Sequence, residues 1–193
     1  MAKRTISINR APVLTLWAAV VAQRLGFDED EALTLGKALA GLNAQAKGRR
    51  LGIFNPHEER AKKAREKERG ERFLIEVLGR PVPATNTEDG IRAVRGRNPI
   101  DPDSVRRYLE GKFGADLKAV RSAMPNLAKA YRPQELAHDA DRLYERFRPA
   151  TPEGVKGWGA RGDLDLGLIE GTAKERVEAK PKQRAARRKK GAT

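Results

Sequence analysis

The N-terminal apolar run is the strongest pattern in the chain. From residue 11 to residue 25 apolar side chains occupy nearly every position, and a helix that is apolar on all sides is typical of a buried core helix. Asn9 is a candidate cap for this helix, Pro12 lies near its first turn, and Gly26 is expected to end it. The pattern therefore predicts a buried helix.

A second helix is predicted directly after this one. Asp28 and Glu31 are three residues apart and form a capping-box pattern at its start. Its sequence carries small residues at four-residue spacing, namely Gly36, Ala40 and Ala44. Small residues on one face allow a neighbouring helix to approach closely. Residues 1–54 are thus predicted to form a tightly packed helical unit.

A charged segment follows at residues 55–72. Its apolar members are alanines, and Glu58/Lys62 and Glu59/Lys63 are spaced to support an exposed helix. Counted from residue 47 to residue 72, ten Lys and Arg face five Glu, a net charge of +5. This segment is predicted to be a solvated, basic connector helix.

Residues 73–98 are predicted to form a small β-hairpin. The runs 73–78 and 91–95 have strand character. The stretch between them is rich in loop-forming residues, namely Gly79, Pro81, Pro83, Asn86, Asp89 and Gly90. Four arginines are expected to give the hairpin a basic side, namely Arg80, Arg92, Arg95 and Arg97.

Residues 99–171 are predicted to form a C-terminal helical unit. Asp101 followed by Pro102 is a strong helix start, and Gly114 is expected to break that helix. Pro125 is expected to bend or split the next helix, and Pro133 to open another. A short apolar turn at 164–169 then precedes the C-terminal tail.

The tail, residues 172–193, carries nine Lys and Arg against two Glu, which is half of the net charge of +14. Val177 is its one large apolar residue, so the tail is predicted to be disordered. The expected fold is therefore mainly α, with a buried N-terminal helix pair, an exposed charged helix, a small hairpin, a C-terminal helical bundle and a disordered basic tail.

The chain offers little material for catalysis. It has no cysteine and two histidines, His57 and His138, without metal-ligand spacing. Asp163 and Asp165 resemble a carboxylate pair, but helix capping by Asp163 explains them more simply. Phosphate-binding glycine loops and nucleophile motifs are absent from the sequence. We therefore expect a protein that is not an enzyme and that uses no cofactor or metal.

Its basic segments favour a nucleic-acid partner, since each Lys or Arg that reaches a phosphate releases counterions. The predicted contacts in the tail are Lys182, Arg184, Arg187, Arg188, Lys189 and Lys190. Those at the end of the second helix and in the connector are Lys47, Arg49, Arg50, Arg60, Lys62, Lys63, Arg65, Lys67 and Arg69. Trp158, between two glycines, is a candidate for stacking on a base. DNA is favoured over RNA, with weak sequence specificity and a cytoplasmic, nucleoid-associated location.

Two alternatives remain open on the sequence alone. The protein could be an interaction or scaffold protein whose apolar N-terminal helices recruit a partner or form a homo-oligomer, or it could bind RNA. A membrane partner is not expected, because the N-terminal apolar stretch is too short to span a bilayer.

Two stretches also carry a resemblance. They are S-I-N-R-A-P-V-L-T-L-W-A-A at 7–19, and R-L-Y-E-R-F-R-P at 142–149 with the later G-W-G-A at 157–160. Together they resemble a family of conserved bacterial proteins of unassigned function. The resemblance implies a bacterial, intracellular setting and no particular activity.

Overall fold

Helices make up most of the structure, a computed structural model that describes residues 4–50, 72–155 and 159–190, with side chains placed in 4–46, 72–155 and 159–179. The helices are α1 (Arg10–Arg24), α2 (Glu29–Arg50), α3 (Pro102–Phe113), α4 (Leu117–Lys129), α5 (Pro133–Phe147) and α6 (Leu166–Lys190). The strands are β1 (Thr5–Asn9), β2 (Phe73–Val77), β3 (Arg80–Thr87), β4 (Gly90–Arg95), β5 (Asn98–Pro99) and β6 (Arg161–Asp165). Among these helices, none is long and apolar enough to cross a membrane. The mainly α prediction is confirmed.

The predicted helix pair is present as α1 and α2. The capping box forms as expected, with the Glu31 amide donating to Asp28 Oδ1 at 2.8 Å and the Asp28 amide donating to Glu31 Oε2 at 3.2 Å. Asn9 occupies the cap position of α1, but its side chain makes no capping hydrogen bond. A Cβ at Gly36 would lie 2.3 Å from the carbonyl oxygen of Thr15. The small residue therefore sets the close approach of the two helices.

α1 lies at the centre of the core. Its residues from Pro12 to Ala22 are buried, packed against α2, α3, α4 and α5. The Trp17 Nε1–H donates a buried hydrogen bond of 2.9 Å to the carbonyl oxygen of Ala140 in α5, and its ring meets Phe147 edge-on at 5.2 Å between centroids. The N-terminal helices and the C-terminal helices thus share one hydrophobic core.

A four-stranded antiparallel sheet in the order β2-β3-β4-β5 replaces the predicted two-stranded hairpin. The residues expected to form a loop instead form β3, in which Val82 and Ala84 are buried. Pro81 and Pro83 are tolerated because residues 80–83 pair with β2 alone, and β4 joins from Ala84 onward. The sheet packs on α2 through β3 and β4.

A second correction concerns the chain termini. β1 pairs antiparallel with β6, and Ile6 lies opposite Leu164. Neither strand is among the predicted elements, and the expected apolar turn at 164–169 instead spans the end of β6 and the start of α6. The two strands form a ribbon that joins the start of the folded chain to its C-terminal part.

The disorder predicted from Thr172 onward is wrong for the first turns of this stretch. Thr172 and Ala173 are buried within α6, which packs on α4. Arg176 lies over the Tyr131 ring at 4.8 Å and forms a 3.0 Å ion pair with Glu135. The apolar spacing of Ile169 and Ala173 continues the buried face of the helix past the predicted boundary.

The remaining helices begin and end where the sequence predicts, with one exception. The Asp101 carboxylate accepts hydrogen bonds from the amides of Asp103 and Ser104 at the start of α3, and Gly114 follows its end with a φ of +53°. Pro133 opens α5. Pro125 does not split α4, which runs through it; the buried side chains of Met124 and Leu127 on either side hold this helix against the core.

Candidate nucleic-acid interface

The predicted phosphate-contacting residues fall on two helix ends and on stretches outside the described part of the chain. Lys47, Arg49 and Arg50 lie on the last turn of α2, and the tail residues from Lys182 to Lys190 lie on the C-terminal turns of α6. The side chains at these positions are beyond those that the structure places. The connector cations from Arg60 to Arg69, and Trp158, fall outside the described residues. All of these assignments stay predictions.

The first turn of α2 is acidic, and its carboxylates are engaged by cations and amides of neighbouring elements. Asp30 forms an ion pair with Arg106 of α3 and lies 3.7 Å from the Arg92 guanidinium. Glu29 also reaches Arg106, at 3.9 Å. Glu31 Oε1 accepts a 3.0 Å hydrogen bond from the Ile91 amide. The negative charge at this end of the helix is therefore compensated within the chain.

One of the arginines expected on the basic side of the hairpin faces inward instead. The Arg92 side chain is 8% exposed and points toward Asp30 of α2. Its Nη1 donates a 2.9 Å hydrogen bond to the Ile91 carbonyl oxygen. Because β4 is covered by α2, Arg92 is a structural residue of the helix–sheet contact. Arg80, Arg95 and Arg97 remain exposed, as expected.

The middle of α2 presents a cluster of cations, which we call the Lys37 cluster (Lys37, Arg95 and Lys112, with the ring of Tyr108). Lys37 is half-buried, and its Nζ lies 3.1 Å from the centroid of the Tyr108 ring. Lys112 is one turn beyond Tyr108 on α3, and Arg95 is the last residue of β4. The Tyr108 ring supports the Lys37 cation on its face, and the charges of Arg95 and Lys112 are near enough to act on Lys37.

The environment of this cluster destabilises the charged form of Lys37. Burial, together with the positive charges of Arg95 and Lys112, lowers the pKa of Lys37 from 10.5 to about 8. Burial also raises the pKa of the Tyr108 hydroxyl, so the ring stays neutral. Between the side chains that the structure places, no salt bridge involves Lys37, Arg95 or Lys112. An anion is the ligand that this arrangement is suited to accept.

Four arginines on or next to the C-terminal helices, unlike Lys37, Arg95 and Lys112, have carboxylate partners. Each of four has a carboxylate within ion-pair distance, and the pairs are Arg142–Asp139, Arg146–Glu175, Arg148–Glu145 and Arg176–Glu135. The chain itself therefore neutralises these four arginines, whereas Lys118, Arg121 and Lys129 on α4 form no ion pair among the placed side chains. The Lys37 cluster is distinguished by the half-burial of Lys37 against the Tyr108 ring.

Of the residues weighed for other chemistry, His138 lies on α5 and Asp163 and Asp165 on β6, whereas His57 falls outside the described residues. His138 lines a shallow groove of about 450 Å³ beside Asp141, with Glu76 and Arg80 across it. Asp165, rather than Asp163, caps a helix, because its Oδ1 accepts a hydrogen bond from the Leu168 amide at 3.3 Å. Among the described residues, no three His, Asp or Glu side chains are grouped closely enough to hold a metal ion.

The sequence does not predict the Lys37 cluster, because Lys37 lies in an otherwise apolar stretch of a helix. The signal that could have found it was the spacing of Tyr108 and Lys112, which places both on one face of α3. Comparisons with protein-family models, curated proteins and solved structures gave no match for this chain. The resemblance to a bacterial family stays a prediction, and a function has to be inferred from the geometry described above.

Proposed function

We propose that this chain is a non-enzymatic DNA-binding protein, located with the nucleoid in the cytoplasm, that holds backbone phosphates with weak sequence specificity. The observation that carries the proposal is the Lys37 cluster, where the half-buried Lys37 lies on the Tyr108 ring within reach of the charges of Arg95 and Lys112 and has no carboxylate partner among the placed side chains. Phosphate oxygens would supply the missing negative charge. Contacts of this kind position a protein on nucleic acid without reading its sequence.

The distribution of charge along α2 supports the proposal. Its acidic first turn is neutralised by Arg92 and Arg106, whereas cations follow along its length: Lys37 at the middle, then Lys47, Arg49 and Arg50 on the last turn. A helix rises about 1.5 Å per residue, so Lys37 and Lys47 are separated by about 15 Å along the axis. This distance is about that of several phosphates on one DNA strand, so a single duplex could contact both positions.

The C-terminal end of α6 supplies a second basic segment. Residues 180–193 contain seven Lys and Arg and no Asp or Glu. Because such a segment binds through charge alone, we expect it to add affinity for any polyanion rather than specificity for a sequence. Together with the cluster on the folded body, it would allow contact over an extended stretch of backbone.

The burial of α1 gives the interaction-protein alternative less support than the sequence suggested. The apolar side chains of α1, which suggested a docking or self-association surface, are buried by α2, α4 and α5 of the same chain. An exposed apolar patch is what normally marks such a surface. We therefore favour the nucleic-acid partner.

A gel-shift titration on duplex DNA, single-stranded DNA and RNA, each at two salt concentrations, tests the proposal. The titration compares the full chain, a chain ending at Ala179, and Lys37→Gln in the full chain. Lys129→Gln, at an exposed lysine on α4, is the charge-matched control. The end point Ala179 keeps Thr172 and Ala173, which belong to the core.

We expect duplex binding that weakens with salt, with the logarithm of affinity falling by about 0.9 per phosphate contact for each tenfold rise in salt. The truncated chain should bind more weakly but still measurably, and Lys37→Gln should weaken binding more than Lys129→Gln. Failure of the full chain to bind duplex DNA, or binding that ignores salt, would contradict the proposal. A preference for RNA would instead select the RNA alternative.

A further inference from the structure

The helices α3 and α4 are joined by a very short turn. α3 is followed by Gly114, whose φ of +53° suits glycine, and a single 3₁₀ turn, Gly114–Asp116, leads directly into α4. Both helices pack on the buried α1. Two helices connected by a three- or four-residue turn with a glycine form the helix-turn-helix arrangement, whose second helix can enter the major groove of DNA.

The two faces of α4 are divided in the way that such a helix requires. The side chains that face the core are Val120, Ala123, Met124, Leu127 and Ala128. Lys118, Arg121 and Ser122 lie on the opposite face and are exposed. The core therefore fixes the position of α4, and the polar side chains of its first two turns remain accessible.

A groove of about 490 Å³ lies beside the start of this exposed face. Its lining comes from the turn and from the first two turns of α4, namely Gly114, Ala115, Leu117, Lys118, Arg121 and Ser122. Since Gly114 and Ala115 carry no side chain larger than a methyl group, a bulky partner can approach Lys118 closely. The groove thus joins the two cations and the hydroxyl of α4 in one accessible surface.

The charge of α4 matches a polyanion. The helix contains three cations and no Asp or Glu. Asp116, the acidic residue just before it, lies 3.7 Å from the Arg4 guanidinium. Among the side chains that the structure places, neither Lys118 nor Arg121 forms an ion pair. A phosphate-lined groove is complementary to such a face.

We propose that α4 is the recognition helix of a helix-turn-helix unit and lies in the major groove of duplex DNA, with Lys118, Arg121 and Ser122 toward the bases. That the partner is DNA rests on the proposed function. The major groove is about 12 Å wide and admits an α-helix, and the 13 residues of α4 span about 20 Å. Lys112, two residues before Gly114, would meet the neighbouring phosphates, because the first helix of such a unit crosses the backbone.

The chemistry of these three side chains limits what the helix can read. Arg121 can donate two hydrogen bonds to the edge of a guanine, and Lys118 can donate to the same edge. Ser122 can donate to one base or accept from another, so it discriminates poorly. So short a set of contacts agrees with the weak sequence specificity of the proposed function.

Two DNA duplexes of one sequence test the proposal. One contains ordinary cytosine, and in the other every cytosine is 5-hydroxymethylcytosine that carries glucose. The glucose occupies the major groove and leaves the charge of the phosphates unchanged. Fluorescence anisotropy with the full chain measures both affinities at one salt concentration, and we expect about tenfold weaker binding to the glucosylated duplex. Duplex RNA of the same sequence should also bind more weakly, because side chains cannot read its deep, narrow major groove.

Arg121→Gln is the matched variant, and Lys129→Gln is its control. Lys129 lies about 12 Å farther along α4 than Arg121 and outside the groove. Arg121→Gln should weaken binding to the ordinary duplex about tenfold, and binding to the glucosylated duplex much less, because α4 is already excluded from the filled groove. Arg121→Lys keeps the charge but loses the paired hydrogen bonds, so its affinity should fall between the two. Since Arg121 and Lys129 are exposed, these substitutions leave the core intact.

Equal affinity for the two DNA duplexes would overturn the recognition helix and leave the proposed DNA-binding function standing. The same holds if Arg121→Gln binds the ordinary duplex as tightly as Lys129→Gln does, or if duplex RNA binds as tightly as DNA. No binding to the ordinary duplex would remove the DNA-binding function and the recognition helix with it.

Discussion

The indole N–H of Trp17 donates a 2.9 Å hydrogen bond to the carbonyl oxygen of Ala140, across 123 positions of sequence. Trp17 is in the first helix and Ala140 in the fifth, so this bond joins two parts of the chain that the sequence patterns present as separate units. The Trp17 ring is fully buried and meets Phe147 edge-on. Because the buried indole has both a hydrogen-bond acceptor and an aromatic neighbour, it stabilises the packing of the first helix on the fifth.

Trp17→Phe should therefore destabilise the protein by about 2–4 kcal/mol, because it opens a cavity and removes the buried donor. Urea denaturation followed by far-UV circular dichroism measures the change. Tyr144→Phe is the comparison, since its hydroxyl makes only a long 3.3 Å hydrogen bond to the Arg10 carbonyl oxygen, and should cost at most about 1 kcal/mol. Equal losses for the two variants would show that the indole bond contributes little.

Gly36→Ala and Gly41→Ala should have opposite effects, although both lie in α2. A Cβ at Gly36 would come within 2.3 Å of the Thr15 carbonyl oxygen, so α1 and α2 must move apart, at a cost of about 1–3 kcal/mol. At Gly41 a Cβ meets nothing within 4 Å, and alanine should stabilise the helix by about 0.5–1 kcal/mol. Thermal denaturation of the two variants checks the sign, and a stabilised Gly36→Ala would disprove the close approach.

Asp30→Asn should destabilise the contact between α2 and the sheet. It leaves the buried Arg92 guanidinium without its carboxylate and removes one partner of Arg106, and we expect a loss of about 1–3 kcal/mol. Glu145→Gln is the matched control, because its pair with Arg148 is solvent-exposed and should contribute less than about 0.5 kcal/mol. Chemical denaturation of both variants at low and high salt makes the comparison. A change at Asp30 as small as that at Glu145 would count against a structural role for Arg92.

Lys37→Met should increase the free energy of unfolding at neutral pH. The pKa of Lys37 is lowered from 10.5 to about 8 in the folded protein, so the unfolded chain binds more protons between these values. The stability of the unmodified protein should therefore rise as the pH increases from 8 to 10.5, and charged Lys37 should be destabilising below pH 8. In Lys37→Met this rise should disappear.

Urea denaturation of both proteins at pH 7, 9 and 10.5 measures this contribution. A purely structural Lys37 would make the methionine variant less stable at pH 7, and that result would argue against the strained cluster. Greater stability of the methionine variant at pH 7 would instead show that Lys37 is kept at the expense of stability.

Local patterns identify the helices well because their signals lie within a few residues of one another. The capping box at Asp28 and the cap at Asp101 are such signals, and both form. The sequence predicts a loop at β3 because Pro81 and Pro83 outweigh the alternation of Val82 and Ala84. The two-residue turn at Leu78 and Gly79, both with positive φ, makes the hairpin that this prediction lacks.

Contacts between distant residues cannot be read in the same way. Ile6 and Ile8 alternate with polar residues as in a strand, but their partners Leu164 and Gly162 lie more than 150 residues away. The Lys37 cluster likewise depends on how α3 and β4 are placed beside α2. Composition indicates a basic protein, and the fold determines which of its cations lack a carboxylate.

The β1–β6 ribbon has a consequence for the order in which the protein is made. β1 leaves the ribosome before its partner β6, which is separated from it by more than 150 residues. At about 5–20 residues per second, β1 waits about 8–30 seconds for β6 to be synthesised. Through most of that interval the apolar α1 also lacks α5, so its apolar side chains stay partly exposed until the later helix is synthesised.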